Sequence, residues 1–578
     1  MSSFSLHGVT VSNGIAIGKA HLISNALLEV SQYQLPKNLI ADEIKRFNKA
    51  IKTVKKDLES TRKKLPEILL ADVSAFITTQ IAILMDPSLS DAPRKIIRKE
   101  HCNAEWAIKL QMDIIVEQFD TFTDQYLRER KHDVIQVVER VIKVLLGHPS
   151  AQQIKQSKKG YNKDIILVAH DISPADAIQF KQNQFAGFIT DVGGATSHTA
   201  ILARGLNIPS IIALKKAHDL IKEDEIIIVD GSQGVVVINP SKEVLKEYEL
   251  RQHQWQLAQK KLKLIKTTKP KTIDGASIDL LANIEGLEGL NAVNESSATG
   301  IGLFRTEFLF MNRDEPPGEE EQFLAYKKVM QTMKKKPVII RTLDLGADKQ
   351  AELNSNSLTN SALGLRAVRL CLTEPHIFHT QLRALLRASH YGKLKILIPM
   401  LTSLAELRQT KLLLERAKQS LEQENIPFDR NIPLGGMIEV PAAAINAGAF
   451  AKELDFISIG TNDLTQYTLA VDRTDNTVAH LYNALHPSVL RLIANTIIAG
   501  EKQGKPVSVC GEMAGDTRLT KLLLGMGLRQ FSMHPSQVLS VKQQILQSNL
   551  NKLTKAANKI LKIDDVEKVE LQLKKINQ

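Results

Sequence analysis

The segment Gly193-Gly194-Ala195-Thr196-Ser197-His198-Thr199-Ala200-Ile201-Leu202-Ala203-Arg204-Gly205 concentrates residues able to do chemistry. It follows the strand-like run Gly187-Phe188-Ile189-Thr190 and opens a helix-like stretch, which Thr196 or Ser197 can cap and Gly205 can end. That spacing puts His198 in the first helical turn. The paired glycines let the backbone approach an anion closely, and the unpaired N–H groups and dipole of a helix start favour negative charge. A neutral imidazole so placed can act as a nucleophile and a temporary carrier of phosphate. A lone histidine beside a glycine turn is more often an ordinary helix-start residue.

A second constellation lies further along. Arg305 follows the apolar run Gly300 to Phe304, and Arg341 ends Val338-Ile339-Ile340-Arg341. Guanidiniums at successive strand ends suit a compact, multiply charged anion, because each presents planar paired donors to phosphate or carboxylate. Glu439 follows Leu434 to Ile438, and Asp463 lies in Gly460-Thr461-Asn462-Asp463 after Phe456 to Ile459. Two carboxylates beside a phosphate are what magnesium requires, the remaining positions going to substrate oxygens and water. Taken alone, Asp463 could equally cap a helix. Cys510 ends Val507-Ser508-Val509-Cys510, where a cysteine is usually just buried, although a thiol at a site mouth can donate a proton to carbon.

The elements that must position these residues can be read from periodicity. The first twenty residues alternate apolar and polar positions around Gly8, Gly14 and Gly18, as short strands joined by turns do. From Asp42 to about Leu146 apolar residues recur at helical spacing, as in Ala104, Ile108, Met112, Ile115 and Val116. Strand signals return at Asp164 to Val168, Gly187 to Thr190, Ser210 to Ile212 and Ile226 to Val229, so a small α/β domain is expected, completed by the first strands. Glu243 to Lys263 reads as one long charged helix, followed by the Pro-punctuated stretch 266–272. Beyond it, eight apolar runs alternate with helical segments: Ile278 to Ala282, Gly300 to Phe304, Val338 to Arg341, Ile396 to Pro399, Leu434 to Ile438, Phe456 to Ile459, Val507 to Val509 and Gln530 to Ser532. Eight such units predict a (β/α)8 barrel, in which chemistry sits where strands end and βα loops begin.

At 578 residues the chain exceeds what one core organises, and several domains are expected. Three cysteines far apart, without metal-ligand spacing, point to a reducing compartment and no structural zinc. The start, MSSFSLHGVTVSNG, lacks the features of a secretory leader, and no apolar run reaches the roughly 20 residues that span a bilayer. A soluble cytoplasmic protein without membrane insertion is therefore expected. The formal charge of +12 is spread widely, and no nucleic-acid-binding signature accompanies it, so a solvated basic surface is expected rather than a nucleic-acid partner.

In this order, GG-x-TSHTAI-x-AR around His198, GLFRTEFLF at 302–310, IGTNDLTQYTLAVDR at 459–473 and CGEMAGD at 510–516 resemble Enzyme I of the bacterial phosphoenolpyruvate-dependent phosphotransferase system, within the PEP-utilising enzymes. The similarity runs from about Gly8 to about Val541 and includes the helical stretch ending at Tyr126 to Val134. The resemblance implies that His198 carries phosphate, that Arg305, Arg341, Asn462 and Arg473 bind phosphoenolpyruvate with Lys349 and Arg366 nearby, that Glu439 and Asp463 bind Mg2+, and that Cys510 is the acid. It also implies a barrel-mediated homodimer and a helical subdomain that docks the acceptor HPr. The expected architecture is α/β and multidomain: a swivelling phosphohistidine α/β domain at 1–24 and 150–240, a helical HPr-binding subdomain at 25–149, a linker helix and hinge at 241–272, and a PEP-binding TIM-type barrel at 273–578 that also carries dimerisation.

Some positions depart from that family. Its usual arginine after the glycine pair is Ala195, an upstream threonine is Ala177, and the loop after Arg341 carries Ala347 and Gln350 where glycine and glutamate are usual; further on, its Asn-Pro-Phe-Leu-Gly reads Asn360-Ser361-Ala362-Leu363-Gly364. In the helical stretch its Phe-Glu-x-His reads Ile77-Thr78-Thr79-Gln80, and the chain is basic where the family is commonly acidic, which suits a divergent or HPr-like acceptor. A pyruvate phosphate dikinase or phosphoenolpyruvate synthase would share His198 and the barrel but needs a nucleotide domain for which no segment is free. A regulatory scaffold with a decayed site is the alternative from another class. The presence of every residue assigned direct chemistry stands against it.

Overall fold

The computed structural model describes residues 3–22, 30–63, 72–121, 131–147, 164–170, 185–192, 208–310, 315–345, 362–473 and 478–578. The chain divides into two compact units, Met1–Gln259 and Lys260–Gln578.

The first unit holds an eight-stranded sheet: β1 (Phe4–His7), β2 (Val9–Ser12), β3 (Ile15–Leu22), β4 (Ile165–Ala169), β5 (Gly187–Thr190), β6 (Ser210–Ile212), β7 (Ile226–Asp230) and β8 (Val235–Ile238). Its order is β1-β8-β7-β3-β4-β5-β6-β2, with β3 to β6 parallel and the flanking strands antiparallel. The parallel strands β4, β5 and β6 are almost wholly buried, which is why they read as unbroken apolar runs. β1 and β2, neighbours in sequence, lie at opposite edges of the sheet.

Between β3 and β4 the chain forms helices, the longer ones spanning Ile40–Lys63, Asp72–Met85, Ala104–Asp120 and Lys131–Leu145. Phe47, Ile51, Val54 and Leu58 recur at three- and four-residue spacing and meet Ile108, Val137 and Val141 in one core. Within it Arg46 donates from Nε and Nη2 to Glu43 and from Nη1 and Nη2 to Glu105, at 2.6–2.9 Å, and from Nη1 to Leu145 O at 3.0 Å. Asn103 Nδ2 and Ala104 N–H donate to the remaining carboxylate valences.

The second unit is a closed parallel barrel of β9 (Asp279–Ile284), β10 (Gly300–Phe304), β11 (Val338–Arg341), β12 (Leu394–Ile398), β13 (Leu434–Ile438), β14 (Phe456–Ile459), β15 (Val507–Val509) and β16 (Gln530–Met533). β9 begins one residue later than its apolar run, because Ile278 donates its N–H to Pro270 O outside the ladder. Leu303, Ile339, Leu397, Met437, Phe456 and Cys510 form a cluster of their own, separate from the larger core beneath the outer helices, as expected of a filled barrel interior. Two further helices, Leu550–Ile560 and Val566–Asn577, pack on the barrel helix Thr517–Gly525, where Lys521 Nζ donates to the carbonyls of Ile576 and Asn577. No described helix is long and apolar enough to cross a membrane.

Candidate active site at the barrel mouth

Six of the residues expected to do chemistry stand at or just past the C-terminal ends of barrel strands. Arg305 follows β10, Arg341 ends β11, Glu439 follows β13, Asn462 and Asp463 follow β14, and Cys510 follows β15. The barrel's closure therefore gathers onto one rim residues separated by more than two hundred positions. Arg366 and Arg473 are also described, whereas His198 and Lys349 lie outside the described residues, as do Ala177, Ala195, Ala347 and Gln350.

Arg341, only 8% exposed, is held at both terminal nitrogens. Nη2 donates to Glu307 Oε1 and Nη1 pairs with Asp344 Oδ2, each at 2.9 Å. Burial works against its charge, but Glu307 and Asp344, with Glu439 and Asp463 behind them, hold the guanidinium more firmly protonated than one in water. Asp344 Oδ1 in turn accepts from Arg366 Nη2 at 2.8 Å and Nε at 3.2 Å. Burial would raise this carboxyl; the two arginines outweigh it and hold Asp344 below the usual carboxylate range. Sequence reasoning assigned no role to Glu307 or Asp344. Their signal was present as acids two and three residues after the two arginines, in Arg305-Thr306-Glu307 and Arg341-Thr342-Leu343-Asp344.

Glu439 is 1% exposed. Its Oε1 accepts the Met400 N–H at 2.7 Å, while Oε2 is buried without a partner. Burial, then the charges of Asp463 and Asp344, push its carboxyl well above the ordinary range, and Arg341 and the Met400 N–H oppose this only in part. Gly460 is required beside it, since a Cβ there would come within 2.5 Å of Glu439 Oε2. Asp463 lies in the first turn of the helix Thr461–Leu469 but does not cap it; its carboxylate faces Arg473 Nη2 at 3.6 Å. Asn462 Oδ1 accepts the Glu512 N–H at 3.0 Å, which leaves its NH2 as the group able to donate to a ligand. Cys510 is 4% exposed, and burial pushes its thiol up to about 11, so it stays protonated near neutral pH.

The two rim arginines differ from expectation in one respect. Arg341 is buried, whereas Arg305 has a side chain 41% exposed and pairs with Glu285 beyond β9. Charge at this mouth is thus graded from a buried guanidinium to partly exposed rim ones.

Five of the ten buried side-chain polar atoms without partners among the described residues belong to this mouth: Glu307 Oε2, Arg341 Nε, Thr342 Oγ1, Glu439 Oε2 and Thr461 Oγ1. Buried polar groups are normally paired, so this concentration makes the mouth the candidate binding site among the described residues. The donor set fits a hard divalent cation. Glu439 offers an unused carboxylate oxygen, Asp463 repels it, and a cation between them would relieve both. No group of three or more His, Cys, Asp or Glu side chains suited to a metal occurs among the described residues.

The pattern of the PEP-utilising enzyme, PEP-binding domain family matches residues 259–550; those of the N-terminal and mobile domains of PEP-utilising enzymes match 7–130 and 161–234. The phosphoenolpyruvate-protein phosphotransferase of Cupriavidus necator is 46% identical over 581 residues, covering 99% of each chain. Its namesake from Geobacillus stearothermophilus is 39% identical over 572 residues, covering 98% of this chain and 96% of its own. That of Staphylococcus aureus is 40% identical over 557 residues, 96% of each. The chain belongs to the phosphoenolpyruvate-protein phosphotransferase family, the phosphotransferases among the PEP-utilising enzymes.

Proposed function

We propose that this chain transfers the phosphoryl group of phosphoenolpyruvate to its own His198, releases pyruvate, and passes the phosphoryl group to the histidine of HPr or an HPr-like carrier, the first step of a phosphotransferase system serving sugar uptake and regulation. The observation that carries this reading is the barrel mouth, where a buried arginine, partly exposed ones and buried carboxylates are arranged with polar atoms left open. A compact trianion answers the open donors, Arg341 Nε and the Thr342 and Thr461 hydroxyls, a cation answers the open carboxylate oxygens, and the family supplies a substrate of that charge.

In this reading Arg341, Arg305 and Arg473 hold phosphate and carboxylate through paired donors, the Asn462 NH2 adds a neutral donor, and Lys349 and Arg366 flank the substrate. Glu439 and Asp463 hold Mg2+. When bound, that ion neutralises phosphate charge and polarises the leaving enolate. The His198 imidazole attacks phosphorus, so that a P–N bond forms as the P–O bond to the enolate breaks. The Cys510 thiol then gives its proton to the enolate carbon, making pyruvate, and regains one from solvent. A thiol held protonated by burial is suited to that task.

The remaining parts follow the family. The α/β region carries His198 between barrel and acceptor, the helices between β3 and β4 dock the HPr-like carrier, the barrel forms a homodimer, and the protein works in the cytoplasm. A coupled assay tests the function: pyruvate released from phosphoenolpyruvate should require Mg2+, be limited to about one equivalent per chain without a carrier, and turn over once HPr is added. A folded protein that releases no pyruvate would favour the regulatory-scaffold reading.

A further inference from the structure

Glu307 stands two residues past Arg305 and begins the single turn Glu307–Leu309 after β10. One of its oxygens, Oε1, accepts both from Arg341 Nη2 at 2.9 Å and from the Asp344 N–H at 3.0 Å. It thereby joins the guanidinium at the end of β11 to the loop that continues from it. Oε2 is buried without a partner, as is Arg341 Nε.

The main chain of Arg341 is fixed by other means. Thr306 Oγ1 donates to Arg341 O at 3.0 Å, Gln381 Nε2 donates to Thr306 Oγ1 at 3.2 Å, and the ladder to β12 holds the strand. Loss of Glu307 would therefore release the guanidinium without releasing the backbone that carries it. Asp344 cannot replace it, because that carboxylate is shared with Arg366 and grips the other terminal nitrogen. A planar fork held at one end can rotate; held at both ends it has one orientation.

We propose that Glu307 is a positioning residue for phosphoryl transfer, acting through the Arg341 guanidinium, which its Oε1 aims. The inference rests on the reading of the barrel mouth as the phosphoenolpyruvate site. Its consequence is kinetic. A donor that must meet charge developing on the phosphoryl group loses most of its value when misplaced by an ångström, so the step slows while ground-state binding by the other arginines persists.

The test is steady-state pyruvate formation from phosphoenolpyruvate, Mg2+ and added HPr by the full-length protein and its Glu307→Ala and Glu307→Gln variants. The Gln amide oxygen can still accept from Arg341 and Asp344. We expect Glu307→Ala to lower kcat about 10²-fold with KM within about threefold, and Glu307→Gln to restore kcat to within about fivefold of the parent. Should the Ala variant fail to fold, Glu307→Asp, one methylene too short to reach both donors, should show the same kcat loss. Unchanged kcat in Ala and Asp, equal losses in Ala and Gln, or a loss confined to KM would each overturn the inference. A parent protein that forms no pyruvate would overturn the substrate reading as well, whereas an active parent with an indifferent Glu307→Ala overturns this inference alone.

Discussion

Arg46 and Arg341 each lie between two carboxylates, and their surroundings differ in what is left over. Arg46 uses Nε and both terminal nitrogens on Glu43, Glu105 and a backbone carbonyl, and none of the three side chains retains a buried polar atom without a partner. Arg341 also grips two carboxylates, yet its Nε, Glu307 Oε2 and the nearby Glu439 Oε2 are buried and open. The same chemistry thus serves two ends. A closed network fixes helices against one another, and an open one stores unsatisfied donors and acceptors for a ligand, at a cost in stability that the closed one avoids.

The largest effect that sharpens this contrast is on rate. Arg341→Ala should lower phosphoenolpyruvate-dependent pyruvate release by about 10²–10³-fold or more, the range for loss of one preorganised donor, whereas Arg46→Ala should leave the kcat of that first step within about threefold. Comparable losses in both variants would erase the distinction. Next comes stability. Arg46→Ala strands Glu43 and Glu105 and should destabilise the helical region by about 2–4 kcal/mol in denaturant unfolding, somewhat less than for a wholly buried pair, since the arginine is about one-third exposed.

Glu439→Gln should go the other way. With the ligand-free protein near neutral pH, replacing this buried carboxyl, crowded by Asp463, by a neutral amide should raise barrel stability by at most about 1–2 kcal/mol while abolishing pyruvate formation. A variant that is both less stable and inactive would show that the carboxylate has a structural role, contrary to this account. The smallest effect concerns Cys510. Its thiol is raised to about 11, so the folded protein favours the protonated form; that preference is fully present below the ordinary thiol value and is lost as pH rises through about 11. Iodoacetamide labelling of Cys510, followed by peptide mass, should therefore be slow at pH 8 and accelerate through pH 10. Fast labelling at pH 7 would contradict the assignment of the thiol as a proton donor.

Sequence exposed the barrel well because its strands are buried on both sides and read as short apolar runs between helices. Gly300 to Phe304, Val338 to Arg341, Leu434 to Ile438, Phe456 to Ile459 and Val507 to Val509 coincide with β10, β11, β13, β14 and β15. The same periodicity located Arg341, Glu439 and Cys510 at strand ends. It did not reveal that β1 and β2 occupy opposite edges of one sheet, that Val235–Ile238 forms β8, or that two helices follow Val541, since strand order and edge placement are set by long-range pairing. Nor did it show the Glu307 and Asp344 bonds to Arg341, or that Arg305 turns to Glu285; those partners meet only once separate βα loops converge on the rim. The Ile77-Thr78-Thr79-Gln80 departure proves partly internal, Ile77 and Gln80 being fully buried, with the Gln80 NH2 donating to Gln136 Oε1.

In the function proposed above, phosphoenolpyruvate bound at the open barrel mouth loads phosphate onto His198. Intact mass of the purified protein after incubation with phosphoenolpyruvate and Mg2+, beside a His198→Ala control, tests it most directly. One added phosphate, labile to acid and absent from the variant, is expected. No added mass, or equal addition to His198→Ala, would contradict it.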